Sequence, residues 1–172
     1  MKKLISLFCV LAALLTTLFG CNIPALDECK YETNVVYIGS FLEPVLYEGS
    51  LSSDRPIHKL DTLAEFEKFK EKASSSYSLD SFYTATEKYD EAFFAENSLL
   101  LIGTAAGSGS YDFKVKSVSI NGIYCTVNVD RTAPPVITQD MAAWFITVAI
   151  PDAEISCCTE FNATFQTVYE NG

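Results

Sequence analysis

The sequence predicts an α+β fold, in which a mostly antiparallel β-sheet or an open sandwich carries one main amphipathic helix. Three features support this prediction: a helical apolar period over residues 62–72, a continuous apolar run at residues 99–102, and strand-like alternation over residues 123–130 and 144–150. The alternating segments make the C-terminal half rich in β-structure, and the helix is expected to lie on a sheet.

The helix has the clearest start and end signals in the chain. Thr62 followed by Glu65 forms a capping box, in which the hydroxyl and the carboxylate satisfy free amides of the first turn. Three consecutive serines at residues 74–76 end the helix, and a short second helix is expected over residues 90–96. The apolar side of the main helix comprises Leu63, Phe66, Phe69 and Ala73.

The strands before the helix are predicted from short apolar runs separated by turn residues. Residues 35–38 and 41–47 are expected to be strands, and Pro44 places the second of them at a sheet edge because proline cannot donate to a β-ladder. Residues 51–56 are expected to form a loop before the helix.

The strands after the helix carry stronger signals. The run at residues 99–102 is typical of a central strand covered on both faces. Asn121-Gly122 predicts a tight hairpin before the strand that starts at Ile123, because both residues tolerate positive φ. Residues 144–150 and 161–169 are expected to form the last two strands.

The strand before that hairpin has apolar residues on two different faces. Phe113 and Val115 have odd numbers, whereas Val118 and Ile120 have even numbers. Side chains alternate between the two faces of a strand, so the apolar face switches between residues 115 and 118. One extra residue near Lys116-Ser117, a β-bulge, would restore a single apolar face.

The N-terminus has the pattern of a secretory signal. Lys2 and Lys3 precede an apolar run, and residues 18–21 have the sequence Leu-Phe-Gly-Cys. This tetrapeptide resembles the lipobox of bacterial lipoproteins, which implies cleavage after residue 20 and a diacylglycerol thioether on Cys21. The alternatives are plain secretion and an uncleaved membrane helix, but the apolar run is shorter than the roughly 20 residues that a bilayer requires.

The domain organisation follows from this N-terminal pattern. Residues 1–20 are expected to be the signal peptide, residues 21–34 a polar lipidated tether, and residues 35–172 a single domain. The expected location is extracytoplasmic, with palmitate or a similar acyl chain attaching the protein to the bacterial cell membrane.

The charge of the chain limits its partners. The sequence has 12 basic and 22 acidic residues, and loss of Lys2 and Lys3 with the signal peptide changes the net charge from −10 to −12. An acidic surface argues against nucleic acid, whose phosphates attract cations, and against electrostatic binding to anionic lipid. Contact with the membrane is therefore expected through the lipid anchor alone.

The cysteines allow a disulfide but do not predict a metal site. Four cysteines remain after Cys9 and Cys21 are assigned to the N-terminal segment, and four allow three pairings. We expect at most one disulfide, formed by Cys157 or Cys158 with another of the four. No C-x-x-C occurs and His58 is the only histidine, so neither a metal nor another cofactor is expected. The four cysteines are Cys29, Cys125, Cys157 and Cys158.

Residues 89–155 resemble a known family. The resemblance lies in the segments YDEAFFAENSLLLI (89–102), GSGSY (107–111), VDR (129–131) and TQDMAAW (138–144). They are similar to the C-terminal domain of the PrcB family, which is named for a subunit of a bacterial protease complex. A Gly-Ser-Gly-Ser-Tyr segment replaces the Gly-Gly-Tyr common in that family. The resemblance implies a non-catalytic accessory or binding domain and specifies no catalytic residues.

The first candidate binding segment comprises Gly107, Ser108, Gly109, Ser110 and Tyr111. Its backbone amides could bind an anion or a peptide carboxylate. The alternative is a simple connection between strands, in which glycine supplies positive φ. A phosphate-binding loop would continue into a helix with a lysine, whereas Tyr111 begins a strand, so the second interpretation is favoured.

The second candidate segment covers residues 131–144, where Pro134-Pro135 stiffens a polar loop. Arg131, Gln139, Asp140 and Trp144 could contact a partner, since arginine and aromatic residues dominate interface energies. In the alternative interpretation, Trp144 packs in the core and Arg131 pairs with an acidic neighbour. The alternation of residues 144–150 favours the core position for Trp144.

Three functions are compatible with these features. The favoured one is a non-catalytic surface module that binds a protein partner, such as a secreted protease. The second is a protease inhibitor that presents loops from a β-sandwich, and the third is a hydrolase of wall or glycan substrates. No nucleophile-elbow G-x-S-x-G occurs, so enzymatic activity is not expected. Exposure of Trp144 and of the glycine turn at one end of the fold would favour the inhibitor, and a cleft with two carboxylates would favour the hydrolase.

Overall fold

The structure, a computed structural model, describes residues 29–40, 54–136 and 138–169. Cys21, the predicted signal peptide and the predicted strand at residues 41–47 lie outside the described residues. The strands are β1 (Glu32–Ser40), β2 (Asp54–Pro56), β3 (His58–Leu60), β4 (Asn97–Ala106), β5 (Asp112–Asn121), β6 (Tyr124–Ala133), β7 (Ala142–Pro151) and β8 (Glu160–Tyr169). The helices are α1 (Leu63–Ser74), α2 (Asp80–Thr86), α3 (Glu91–Phe94) and α4 (Asp152–Ile155).

The strands form two four-stranded sheets that pack face to face. Sheet A has the order β1-β7-β4-β3 and sheet B has the order β2-β8-β6-β5. Every neighbouring pair is antiparallel except β6 and β8, which are parallel. The first three helices cover the outer face of sheet A, as shared apolar contacts show. The predicted α+β class with two open, mostly antiparallel sheets is confirmed.

Strand β4 lies inside sheet A and is buried on both faces. Leu99, Leu100, Leu101 and Ile102 are all completely buried. Leu100 and Ile102 belong to the core between the two sheets, whereas Leu99 and Leu101 belong to the core beneath the helices. Alternating side chains thus supply both cores, which explains the uninterrupted apolar run.

Helix α1 begins as the sequence predicts. The Glu65 amide donates to Thr62 Oγ1 at 3.2 Å, and the Thr62 amide donates to the Glu65 carboxylate at 3.2 Å. Phe66 and Phe69 are buried against sheet A, where the Phe69 ring centroid lies 5.2 Å from that of Phe145. The short helix expected at residues 90–96 is α3, with Asp90 as its N-cap.

The β5–β6 hairpin and its bulge are both confirmed. The pairing of β5 with β6 shifts between Val115 and Ser117, which leaves Lys116 as the extra residue. Asn121 pairs with Tyr124, so the two-residue loop is Gly122-Ile123, one position later than expected. Only Gly122 has positive φ there, at 59°, which is the pattern of a type II′ turn.

Several boundaries and elements differ from the sequence prediction. β1 begins at Glu32, inside the predicted tether at residues 21–34, because Glu32 already pairs with Ala149 of β7. Asp54–Pro56, expected to be a loop, pairs with β8. Helix α2 was not predicted, since Leu79 at its N-cap makes no side-chain capping bond. Strands and helices this short depend on tertiary partners, which a local pattern does not reveal.

The sandwich has two ends with different connections. At the entry pole, β1 begins at Glu32, β4 begins at Asn97 and β7 ends at Pro151. The Gly122 turn belongs to the same end, because the Cys157 thiol contacts its carbonyl at 3.4 Å. At the opposite end, the loop pole, β4 passes to β5 and β6 passes to β7.

Candidate functional site

The two predicted binding segments meet at the loop pole. The glycine loop, residues 107–111, connects β4 to β5, and the proline loop, residues 134–141, connects β6 to β7. β4 and β7 are antiparallel neighbours with Ala106 opposite Ala142, so one loop leaves sheet A where the other returns to it. The register of sheet A therefore places the two loops side by side.

Hydroxyl and carboxylate groups join the two loops. Ser108 Oγ lies 2.8 Å from Thr138 Oγ1, and the Thr138 hydroxyl also donates to Asp140 Oδ1. Because each hydroxyl has one proton, the consistent arrangement has Ser108 donating to Thr138 and Thr138 donating to Asp140. The Ser110 amide donates to Ser108 Oγ at 3.1 Å and completes a chain of bonds that runs across both loops.

Asp140 is the charged member of this network. The Thr138 hydroxyl and the Gly109 amide bond its ionised form and outweigh the effect of burial, so the pKa of Asp140 lies below its ordinary value. The Gly109 amide lies 3.4 Å from Asp140 Oδ1. The carboxylate is therefore ionised at neutral pH and acts as the acceptor that orders the glycine loop.

Gly109 is required for space rather than for backbone freedom. A Cβ at this position would lie 3.0 Å from Asp140 Oδ2 and 3.8 Å from Ala142 Cβ. Among the described glycines, only Gly39 and Gly122 have positive φ, so the expectation that the glycine loop uses positive φ is wrong. The glycine permits the close approach of the Asp140 carboxylate.

The proline loop presents apolar side chains to solvent. Val136 is 75% exposed and Met141 is 54% exposed, whereas Ser108 beneath them is completely buried. Gln139 and Asp140 are exposed between these two apolar residues. The loop pole thus combines a hydrogen-bond network that orders both loops with an accessible surface of apolar and polar side chains.

Arg131 belongs to β6 and not to the loop. Its Nη2 donates to Thr167 Oγ1 of β8 at 2.7 Å, and its guanidinium carbon lies 5.4 Å from the Tyr111 ring centroid. Arg131 thus bonds to this hydroxyl rather than to the acidic neighbour considered from the sequence. The buried Nε of Arg131 has no hydrogen-bond partner among the described residues. Arg131 and Tyr111 therefore support the loop pole from below.

Trp144 is part of the core. It is 5% exposed, and its ring centroid lies 4.8 Å from that of Phe113 in sheet B. The Tyr37 ring forms a T-shaped contact with it, with 5.7 Å between the ring centroids. A partner could not reach the indole without separating the sheets, so Trp144 is removed from the candidate contact residues.

A second polar cluster lies at the entry pole, where no motif of the sequence predicts a site. The hydroxyl of the buried Ser98 lies 2.6 Å from Asp61 Oδ1 and 2.6 Å from Asp152 Oδ1. Lys59 Nζ lies 2.5 Å from the same Asp61 oxygen. Burial raises the pKa of Asp61, but the bonds from Lys59 and Ser98 outweigh it and the pKa lies below its ordinary value.

The start of the described domain is fixed at the same pole. The Glu154 carboxylate accepts from Lys30 Nζ at 2.6 Å and from the Tyr31 hydroxyl at 2.8 Å. The bond from Lys30, followed by that from Tyr31, holds the pKa of Glu154 below its ordinary value. These bonds attach the residues before β1 to helix α4.

All four cysteines in the described residues are free thiols. Cys125 is completely buried and Cys157 is exposed. Burial, with a smaller effect of the neighbouring Cys158, raises the pKa of the Cys125 thiol to about 11. The expectation of at most one disulfide remains a prediction.

Two kinds of feature are absent from the described ranges. Within them, no group of three or more histidine, cysteine or acidic side chains is arranged to hold a metal ion. In the same ranges, no helix combines the length and apolar character needed to cross a bilayer. The chain matches no family model, no curated protein and no solved structure. The resemblance to the PrcB family therefore stays a prediction.

Proposed function

We propose that this protein is a non-catalytic binding module that contacts a protein partner through its loop pole. The proposal rests on two features of the loop pole. A hydrogen-bond network of Ser108, Thr138 and Asp140 orders the loops, and Val136 and Met141 are exposed on the proline loop. A loop that is ordered before binding loses less conformational entropy when a partner docks. Apolar side chains surrounded by polar groups are the usual composition of such a contact surface.

The position of the predicted lipid anchor agrees with this role. Cys21 precedes β1, which starts at the entry pole, so the tether would join the domain at the end opposite the proposed contact surface. β4 has ten residues and spans roughly 33 Å between the poles. A protein tethered through Cys21 would then present the loop pole away from the bilayer.

The partner class follows from the resemblance and not from the loops themselves. Similarity to an accessory family of a protease complex favours an extracytoplasmic protein, such as a secreted protease, over a small molecule. Because the chain has a net charge of −10, a partner with a basic surface would associate faster. No cofactor is part of the proposal.

The inhibitor and hydrolase alternatives have weaker support. The inhibitor would need both the glycine turn and Trp144 exposed at one end of the fold; the turn lies at the loop pole, but Trp144 is buried. Two carboxylates do come together at Asp61 and Asp152, within 5.2 Å because each lies 2.6 Å from Ser98 Oγ. This separation resembles that of retaining glycosidases, roughly 5 Å, but Ser98 occupies the space where a sugar would have to lie.

The proposal is tested by comparing matched surface variants at the two poles. Val136→Ser with Met141→Ser removes the apolar contacts of the loop pole, and Ile123→Ser with Tyr124→Ser removes similarly exposed residues at the entry pole. Affinity capture from the native cell envelope, with identification by mass spectrometry, should recover a partner with the wild type and with the entry-pole variant. The loop-pole variant should lose at least about tenfold of that recovery.

A parallel screen on peptide, ester and wall substrates tests the alternatives. Turnover that depends on Asp61 or Asp152, with no partner that distinguishes the two variants, would support the hydrolase instead. If the wild type inhibits a captured protease and the loop-pole variant does not, the inhibitor alternative is supported.

A further inference from the structure

A groove lies between the edge strand β3 and helix α1, on the flank of sheet A. It has a volume of about 260 Å³. Its floor is apolar, since Leu60 and Phe69 are each only 8% exposed. Its rim carries His58 from β3 and Lys68 and Lys72 from α1.

Two other charged groups at the groove are already engaged. Lys59 pairs with Asp61 at 2.5 Å. The Glu65 carboxylate accepts from the Asp61 amide at 2.8 Å and from the Thr62 amide at 3.2 Å, as part of the α1 capping box. These contacts direct Glu65, the one carboxylate among the described residues that line the groove, toward the start of the helix.

The other two lysines of the groove are not paired with a carboxylate in the part of the chain that the structure describes. Lys68 and Lys72 make no ion pair within the described residues, although Lys70 on the same helix pairs with Glu67 at 2.6 Å. Residues four apart lie about 6 Å from each other on a helix, and like charges at this spacing destabilise it. Two lysines without an ion pair beside a groove, in a chain with a net charge of −10, are available to bind an anion.

We propose that this groove binds a phosphate-bearing ligand, held by Lys68, Lys72 and His58. The two ammonium groups and the imidazole can donate hydrogen bonds to phosphate oxygens from both sides of the groove. The apolar floor keeps water away from one side of these contacts and so reduces their screening. This inference is independent of the partner proposed for the loop pole.

His58 provides a direct reporter of the site. Its pKa lies below the ordinary value, first because packing removes water from the imidazole and second because of the charge on Lys72. A bound anion would offset that charge and favour the imidazolium. Because the chain has one histidine, a single ring resonance follows the titration.

The test is a proton NMR titration of His58 in the full chain, with inorganic phosphate or with chloride at equal ionic strength. Phosphate is expected to raise the pKa of His58 and chloride is not. Lys68→Gln with Lys72→Gln should weaken the phosphate affinity measured through His58 by about tenfold, because each lysine is expected to contribute roughly a factor of three. The control, Lys114→Gln with Lys116→Gln in β5, makes the same charge change on the other sheet and should keep the response.

A wild-type pKa of His58 that phosphate leaves unchanged would overturn the proposal without any variant. Equal weakening in the two lysine pairs would also overturn it, since the effect would then be that of net charge. Vesicles of phosphatidylcholine with and without phosphatidylglycerol distinguish the source of the phosphate. A response to inorganic phosphate alone indicates a soluble ligand, and a stronger response to phosphatidylglycerol indicates a lipid headgroup.

Discussion

At the scale of single residues, the cysteines differ most clearly in solvent exposure and in the pKa of the thiol. Cys125 lies between the sheets with its pKa raised to about 11, whereas Cys157 is exposed beside the Gly122 carbonyl. The thiolate is the reactive form of cysteine. Cys125 is protected at neutral pH because it is inaccessible to solvent and because its thiol stays protonated. Their reactivities should differ strongly although both belong to one pole.

We therefore expect iodoacetamide at pH 8 to modify Cys157 first and to leave Cys125 unmodified while the protein is folded. Mass spectrometry of tryptic peptides measures the order, and unfolding in urea should make Cys125 react at the rate of an ordinary thiol. The unreduced protein should contain at most one disulfide. Early labelling of Cys125, a Cys157–Cys158 bond or two disulfides would contradict this prediction.

At the scale of elements, local patterns predicted those features that short segments determine by themselves. The capping box of α1, the central position of β4 and the bulge at Lys116 all follow from spacing along the chain. β2, β3 and the parallel pairing of β6 with β8 depend on contacts between distant residues. The cluster at Ser98 is similar, since its partners Asp61 and Asp152 are 37 and 54 residues away.

The glycine and proline loops were found as candidate segments because turn residues concentrate there, but their mutual contact was not predicted. Gly109 shows the difference: the sequence suggests conformational freedom, whereas the structure requires the absence of a side chain. Arg131 and Trp144 were included for their residue type, but Arg131 is half-buried and bonded to Thr167, and Trp144 is buried in the core.

A pair of alanine substitutions in the glycine loop tests this explanation. Gly109→Ala places a Cβ 3.0 Å from Asp140 Oδ2, so the carboxylate must move and we expect a loss of about 1 kcal/mol in the free energy of unfolding. Gly107→Ala meets nothing within 4 Å and has no positive φ, so it should be neutral or stabilise by about 0.5 kcal/mol. Urea denaturation measures both, and equal effects of the two substitutions would disprove the spatial role of Gly109.

At the scale of the whole molecule, the two poles have different connections to the rest of the chain. The residues before β1 are held at the entry pole by the bonds of Lys30 and Tyr31 to Glu154. The loop pole carries the exposed Val136 and Met141 at the other end of the strands. The direction of β1 thus relates the predicted lipid anchor to the proposed contact surface.

This relation can be measured in the lipidated protein. A fluorophore attached at Gln139 of the loop pole should lie farther from the bilayer than one attached at Tyr124 of the entry pole, by up to roughly 33 Å, the length of a ten-residue strand. A headgroup quencher should therefore quench the label at Tyr124 more strongly. Cys29→Ser with Cys157→Ser in both variants limits labelling to the introduced cysteine, because Cys125 and Cys158 are buried.

Cys21→Ala is the control, since it removes the thiol that the lipid requires. This variant should lose palmitate labelling and leave the membrane fraction, and both fluorophores should then become insensitive to the quencher. Stronger quenching at Gln139 in the lipidated protein would mean that the loop pole faces the bilayer, where a protein partner could not approach it. Unchanged fractionation of Cys21→Ala would instead show that the attachment to the membrane does not depend on Cys21.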